Sequence, residues 1–309
     1  MANPKVVALG GGHGLAATLS ALREVTSNVT AIVTVADNGG SSGRLREEFN
    51  SLPPGDLRMA LAALCGDDQW GRSWAEILQY RFTSSGAMNN HALGNLLLTA
   101  LWDRDSDPVA GISRVGELLK IVGQVLPMAL EPLDIEATFA DDAGELQIRG
   151  QIQVATAKGA IKELKLIPEH PKPTPQAIKA ILEAEYLTFG PGSWFSSVMP
   201  HFLMIEQAKA ILESNAKKAM IFNLTEEQAA GEYAGNSATE HLQLILRHLP
   251  EFRIDLAIVD KSVAKFDSEL TNLVEKLGGK LVIDDFMSEN GQNHHDISKL
   301  ASTFAHIFV

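Results

Sequence analysis

The chain has 309 residues, 45% of them apolar and 21% charged, which gives enough core for one large α/β domain or two smaller ones and excludes a disordered or repeat protein. A formal net charge of −12 argues against a nucleic-acid-coating surface, since affinity for the phosphate backbone is summed from Lys and Arg. The single Cys65 excludes an internal disulfide, and with no charged-plus-apolar leader and no uninterrupted run of 18 apolar residues, the expectation is a cytoplasmic protein that does not insert into a membrane.

The first predicted element is a strand over residues 6–9. Gly10, Gly11, Gly12, His13 and Gly14 follow, then a helix that places Leu15, Leu19 and Leu22 on one face. Glycines in such a turn let backbone N–H groups approach a ligand, and the helix N-terminus favours a phosphate there. A tight structural turn is the alternative reading. Residues 12–17 fit G-x-G-x-x-A, a short pattern of low specificity.

A second strand is expected over residues 28–35, ending just before Asp37, where dinucleotide-binding folds hold a ribose hydroxyl. The chain continues through Asn38, Gly39, Gly40, Ser41, Ser42, Gly43 and Arg44. This run exposes more amides and hydroxyls than a connection needs, and it suits a second phosphate or a phosphate-bound metal. Two anion cradles on consecutive strands point to a diphosphate or a transferable phosphoryl group, ahead of an NAD-type reading.

Pro53, Pro54 and Gly55 then precede Asp56, expected to cap the helix carrying Leu57, Leu61 and Leu64, or to serve the site. Arg58 falls in the first turn of that helix, where a cation opposes the dipole and makes sense facing an anion. Asn89, Asn90 and His91 precede another apolar helix that holds Gly94 and Asn95. Asn90 is the expected cap there, and His91 is either incidental or a ligand donor and proton shuttle.

Residues 133–167 change texture to alternation, with a turn at 141–144, and read as a small antiparallel β excursion in which "QIQV" continues the strand pattern. Prolines end it. A helix and a strand ending at Phe189 lead to Gly190, Gly192, Ser193 and Ser196, a third wall of amides and hydroxyls beside Trp194 and Phe195, which pack or stack on a ring. Three more strands are expected, the first ending at Asn223. Every polar cluster falls after a strand or before a helix, the edge where open parallel sheets bind ligands. His294 and His295 match a metal pair by type, but helical neighbours diverge by about 100°, so no metal site is assigned to them. His241 and His248 read as packing or surface residues.

In this order, "ALGGGHGL", "VTVADNGGSSGRLR", "PPGDLR", "LQYRF", "NHALGNLLLTAL", "GPGSWFSSVMP" and "IFNL" resemble the CofD-like superfamily, most closely its YvcK-type branch, the gluconeogenesis factors. The resemblance spans nearly the whole chain. It implies a Rossmann-like three-layer α/β/α fold with a mostly parallel sheet, one CofD-like domain over residues 1–309, and a homodimer. CofD itself transfers a 2-phospholactyl group from a nucleotide-activated donor to a deazaflavin. The YvcK-type branch is associated with UDP-sugar binding, cell shape and growth on gluconeogenic carbon, without an established reaction.

Under the binding reading, residues 10–14 and 39–43 hold a diphosphate through amides, Arg44 and Arg58 supply charge, and Asp37 or Asn223 holds ribose or base. Under the transferase reading, Asp37 and Asp56 position Mg²⁺ and His91 assists proton transfer. The family usually carries Asp where this chain has Asn38, which weakens a metal site built from two adjacent acids. Met59, Phe195 and the segment 223–235 also depart from the family pattern. Binding without turnover is the favoured reading, because no nucleophile–base pair is readable in the sequence.

Overall fold

The run Val-Val-Ala-Leu-Gly over β1 (Val6–Gly10) is buried at every position, as expected of a central strand in a sheet covered on both faces. The computed structural model describes residues 3–141, 144–157, 160–224, 237–288 and 294–308. The other strands are β2 (Val29–Val33), β3 (Gln124–Pro127), β4 (Asp134–Asp141), β5 (Gly144–Arg149), β6 (Ala160–Ile167), β7 (Tyr186–Phe189), β8 (Lys217–Ile221), β9 (Leu256–Asp260) and β10 (Lys280–Asp284). Seven of them form one sheet in the order β10-β9-β8-β7-β1-β2-β3, with every pairing parallel. In register, Val6 faces Val29 on one side and Tyr186 on the other, and Leu9 faces Ile32 and Phe189.

Strand order runs outward from β1 to β3, then returns to β7 and runs outward the other way. The crevice between β1 and β7 is therefore the switch point of a doubly wound sheet, the place where such folds take ligands. The first five helices that frame it are α1 (Gly12–Leu22), α2 (Gly40–Phe49), α3 (Gly55–Ala63), α4 (Gln69–Gln79) and α5 (Leu93–Asp105), followed by α6 (Pro108–Leu119). Leu15, Leu19 and Leu22 of α1 are buried on the face the periodicity assigned to the core. Below β7, Phe189, Phe202 and Phe252 pack with ring centroids 5.0–5.9 Å apart, two of the three contacts edge-on.

The excursion is a separate antiparallel sheet, β5-β4-β6. Asp134 anchors its base, bridged by Arg46 of α2 at 2.7 Å and by Arg149 at 2.6 Å. The expectation for "QIQV" is corrected. Gly150 takes φ +107°, which ends the strand, and the segment coils into the short helix α7 (Gln151–Thr156). Asn38 Nδ2, in the loop after β2, donates to Gln153 Oε1 at 3.3 Å, and Gln151 Nε2 donates to Ser196 Oγ, in the loop after β7, at 3.1 Å. Because β2 and β7 are the two neighbours of β1, α7 lies across the C-terminal end of β1. Among the described residues, no helix is long and apolar enough to cross a membrane.

Candidate functional site

The polar loops meet at this edge, and the first is made of backbone. Gly11 is the extended N-cap of α1, and Gly12 follows at φ +59°, a left-handed conformation that favours glycine. A Cβ on Gly11 would lie 2.6 Å from both Asp56 Oδ2 and the Thr34 hydroxyl, and 3.1 Å from the Ser197 hydroxyl. Any larger residue there would have to displace the Asp56 carboxyl and the Thr34 hydroxyl. Gly14 presses against the backbone of Pro191, which ties the loop after β1 to the loop after β7.

In the second loop, Asp37 Oδ1 accepts the Gly39 N–H at 2.9 Å, and Gly40 opens α2. Ser41 and Ser42 are buried. The Ser41 hydroxyl accepts Asn95 Nδ2 at 3.0 Å and the Ala92 N–H at 3.4 Å, which leaves its own proton for His91 Nδ1 at 3.0 Å. Burial first, and the Arg44 charge second, lower the His91 pKa, in keeping with a neutral ring. Ser42 and Asp37 lie against Gly55, where any Cβ would overlap the serine hydroxyl.

Asp56 is not the N-cap expected of it. The Pro-Pro-Gly turn advances the helix start, Pro54 takes the cap position without a side-chain bond, and Asp56 stands inside the first turn of α3. Its carboxyl instead accepts the N–H of Gly12, with the Thr34 hydroxyl 3.5 Å away. Burial, then the neighbouring Asp37, push its pKa up to about 7 against the opposing pull of the Gly12 N–H and Arg58. Arg58, 3% exposed, donates from Nε to Asn95 Oδ1 at 2.9 Å and leaves Nη1 buried without a hydrogen-bond partner. Burial, then repulsion by Arg81, bring its pKa down to about 10, still a cation at neutral pH.

Helices α1, α2, α3 and α5 all start without a side-chain cap, whereas α4 and α6 are capped by Asp68 and Asp107. The first three starts touch, α3 meeting α1 at Asp56–Gly12 and α2 at Gly55–Ser42. Their amide ends, of which Asp56 engages the Gly12 N–H and Asp37 the Gly39 N–H, and their dipoles are concentrated on one spot beside Arg58.

Other expected residues do not join this spot. Arg44 is engaged by the 87–89 turn, its guanidinium donating to the carbonyls of Ala87 and Asn89 at 2.8 Å each. Asn90 is not a cap, for it sits at φ +64° in an exposed turn and α5 starts only after Ala92. Asn223 clamps the protein's own backbone, its side-chain amide exchanging two 3.0 Å bonds with Gly192. Gly190 takes φ +75°, and Ser193 caps a π-helical turn, Trp194–Val198, by accepting the Ser196 N–H. Trp194 is buried between His241 and Phe222, a packing role. His295 Nε2 lies 3.2 Å from the Phe222 carbonyl, and no group of three or more His, Cys, Asp or Glu able to hold a metal occurs among the described residues. Segment 225–236 lies outside the described residues.

Sequence reasoning missed Thr34, Ser197, Gln151, Arg81 and His201. His201 is fully buried, with Nδ1 3.1 Å from Gln207 Oε1 and Nε2 3.5 Å from the Gly10 carbonyl, and burial lowers its pKa to about 4. Arg81 stood in plain view in "LQYRF", but no spacing rule marks it. Beside His13 and Gly14 opens a cavity of about 710 Å³ with small apolar walls from Ala17, Met59 and Ala62 and a polar rim that includes Gln79, Asn223 and His294.

The fold and the gathering of loops at the β1/β7 switch point define a Rossmann-like α/β protein of the doubly wound class. Within that class the chain belongs to the CofD family, whose pattern, described as 2-phospho-L-lactate transferase CofD, matches residues 6–299. It is 45% identical over 304 residues to the "Putative gluconeogenesis factor" of Mycobacterium tuberculosis strain H37Rv, covering 96% of this chain and 88% of that one. It is 35% identical over 309 residues to the gluconeogenesis factor of Listeria innocua, covering 96% and 94%. A crystal structure of a UPF0052 family member from Bacillus halodurans superposes with a TM-score of 0.86 at 32% identity, covering 98% of this chain and 99% of that one.

Proposed function

We propose that this protein binds a nucleotide sugar of the UDP-sugar type and acts, as a cytoplasmic homodimer, as a regulator of cell shape and of growth on gluconeogenic carbon. The diphosphate lies over the starts of α1, α2 and α3, held by the amides of residues 10–14 and 39–43. The nucleoside enters the cavity beside Gly14, whose volume of about 710 Å³ falls in the small-molecule range. The observation that carries the reading is Arg58. A buried guanidinium with an unpartnered Nη1, beside three uncapped helix starts, is stabilised by an anion that the protein itself does not supply in full.

A thermal-shift panel of UDP-glucose, UDP, GDP, NAD and a deazaflavin, with and without Mg²⁺, tests it, since a ligand selective for the folded state raises the melting temperature. UDP-glucose is expected to give the largest shift. A shift with NAD and none with any uridine nucleotide would overturn the reading.

One observation favours a second reading, a CofD-like transferase with a nucleotide-activated donor and a deazaflavin acceptor. The buried Asp56 carboxyl stands close enough to Asp37 for the two to repel, so two acids share one spot at the helix starts. Asp37 and Asp56 are the acids that would hold a Mg²⁺ ion together with ligand phosphates, where the ion would neutralise phosphoryl charge; two carboxylates suit Mg²⁺ in such sites. His91 would assist proton transfer from the side of Ser41, whose hydroxyl lies 3.0 Å from its Nδ1.

A further inference from the structure

Arg81 sits in a short extended segment after α4. Leu93 N donates to the Tyr80 carbonyl at 2.8 Å and Phe82 N to the His91 carbonyl at 3.0 Å, which sets Arg81 opposite Ala92. Ala92 immediately precedes the start of α5, whose Asn95 bonds Arg58 and whose Gly94 packs on the Arg58 methylenes, a Cβ there falling 2.8 Å from Cγ. Two residues before Arg81, Gln79 lines the cavity that also holds His13. Arg81 Nη1 donates to the Asn90 carbonyl at 2.9 Å, which fixes the guanidinium without neutralising it.

Arg81 is exposed, yet close enough to Arg58 to help lower the proton affinity of that buried group, after burial itself. It also acts on His13, after burial, His294 and Arg58. Neither Arg58 nor Arg81 makes a salt bridge among the described residues. Three cationic or protonatable groups thus share one side of the site in a chain of net charge −12. Asp56 and Asp37 offset that charge at Arg58, whereas among the described residues no ion pair offsets it at Arg81.

We propose that Arg81 is the second cation of the phosphate site, gripping the outer phosphate of a diphosphate from the solvent side while Arg58 holds the inner one, so that the site selects diphosphates over monophosphates. The choice of ligand rests on the nucleotide-binding reading above, whereas the role of Arg81 does not need the nucleoside.

Titration calorimetry of wild type, Arg81→Gln and Arg81→Lys with inorganic pyrophosphate, UDP and UMP tests it, with unliganded melting as the folding control. Loss of a charge-assisted contact should weaken UDP and pyrophosphate by about 10- to 100-fold and UMP by less than about threefold. Lysine should recover part of the loss, since it keeps the charge without the fork. Equal losses for UMP and UDP, or no loss for UDP, would overturn the proposal. Pyrophosphate binding that depends on Arg81 without binding of either nucleotide would uphold it and sink the nucleotide reading. A wild type that binds none of the three overturns both.

Discussion

The Asp56 carboxyl accepts the backbone N–H of Gly12, so an amide at the start of α1 is already engaged by one of the protein's own acids. Under the proposed function, a phosphate at this helix start would share that amide with a carboxyl, most easily when the carboxyl is protonated.

The raised pKa of Asp56 has a signed consequence for stability. The ordinary value is 3.8 and the folded value is about 7, so the folded state binds the proton more tightly. The stabilisation from that proton is complete below about pH 3.8 and is lost as pH rises through about 7. Asp56→Asn keeps an oxygen for Gly12 and has no proton to lose. Relative to this variant, wild type should weaken between pH 4 and pH 8, by at most about 4 kcal/mol. Parallel denaturation curves for the two proteins across that range would show that the carboxyl is not perturbed.

Arg58→Met should separate stability from binding. Methionine keeps the apolar stem against Gly94 and removes a buried charge with an unpartnered Nη1, at the expense of one bond to Asn95. These changes oppose each other, so the unliganded stability should stay within about 1 kcal/mol of wild type. Affinity for UDP should fall by about 10- to 150-fold. A variant that unfolds, or one that binds UDP as wild type does, contradicts the role given to Arg58.

The elements that could be read from the sequence are those set by local chemistry. Runs such as the Tyr-Leu-Thr-Phe of β7 are buried at every position, and the glycines at 12 and 40 occupy positive φ at helix starts. The loops were legible for the same reason. The partners inside the site were not, because they lie far along the chain: Ser41 meets His91 50 positions away, and Asn38 meets Gln153 115 positions away. Arg44 reads as a phosphate ligand beside Gly43, but two carbonyls of the 87–89 turn claim it, and nothing near Arg44 announces them. Helix α7 was hidden because a single glycine at φ +107° reverses the sense of an otherwise alternating run.

Ser41→Ala tests the network behind the site. The serine hydroxyl serves His91 Nδ1, Asn95 Nδ2 and the Ala92 N–H, all in buried surroundings. Removing it strands buried polar atoms, so the cost should be about 1–3 kcal/mol, read as a lower urea midpoint with an unchanged slope. Asn95 also orients Arg58, and UDP affinity should decline in the same variant. A midpoint equal to that of wild type would mean that water replaces the hydroxyl.

Asn38→Asp asks whether this chain can regain a pair of adjacent acids. Asn38 Nδ2 reaches Gln153 Oε1 at 3.3 Å, and Gly150 packs so closely on the same nitrogen that a Cβ there would lie 2.7 Å from it. The side chain is thus directed at α7, whereas Asp37 Oδ1 is held by the Gly39 N–H beneath it. A carboxylate at 38 would meet the Gln153 amide, which can turn its Nε2 inward to donate, so the excursion stays docked and stability changes by less than about 1 kcal/mol. Hard divalent cations need charged oxygens that converge, and adjacency in sequence does not give convergence in space. Mg²⁺ alone should therefore leave the melting temperature of Asn38→Asp unchanged, as it should that of wild type. A Mg²⁺-dependent rise in the variant only would show that position 38 swings toward Asp37, and would make Asn38 the residue that keeps a metal out of this site.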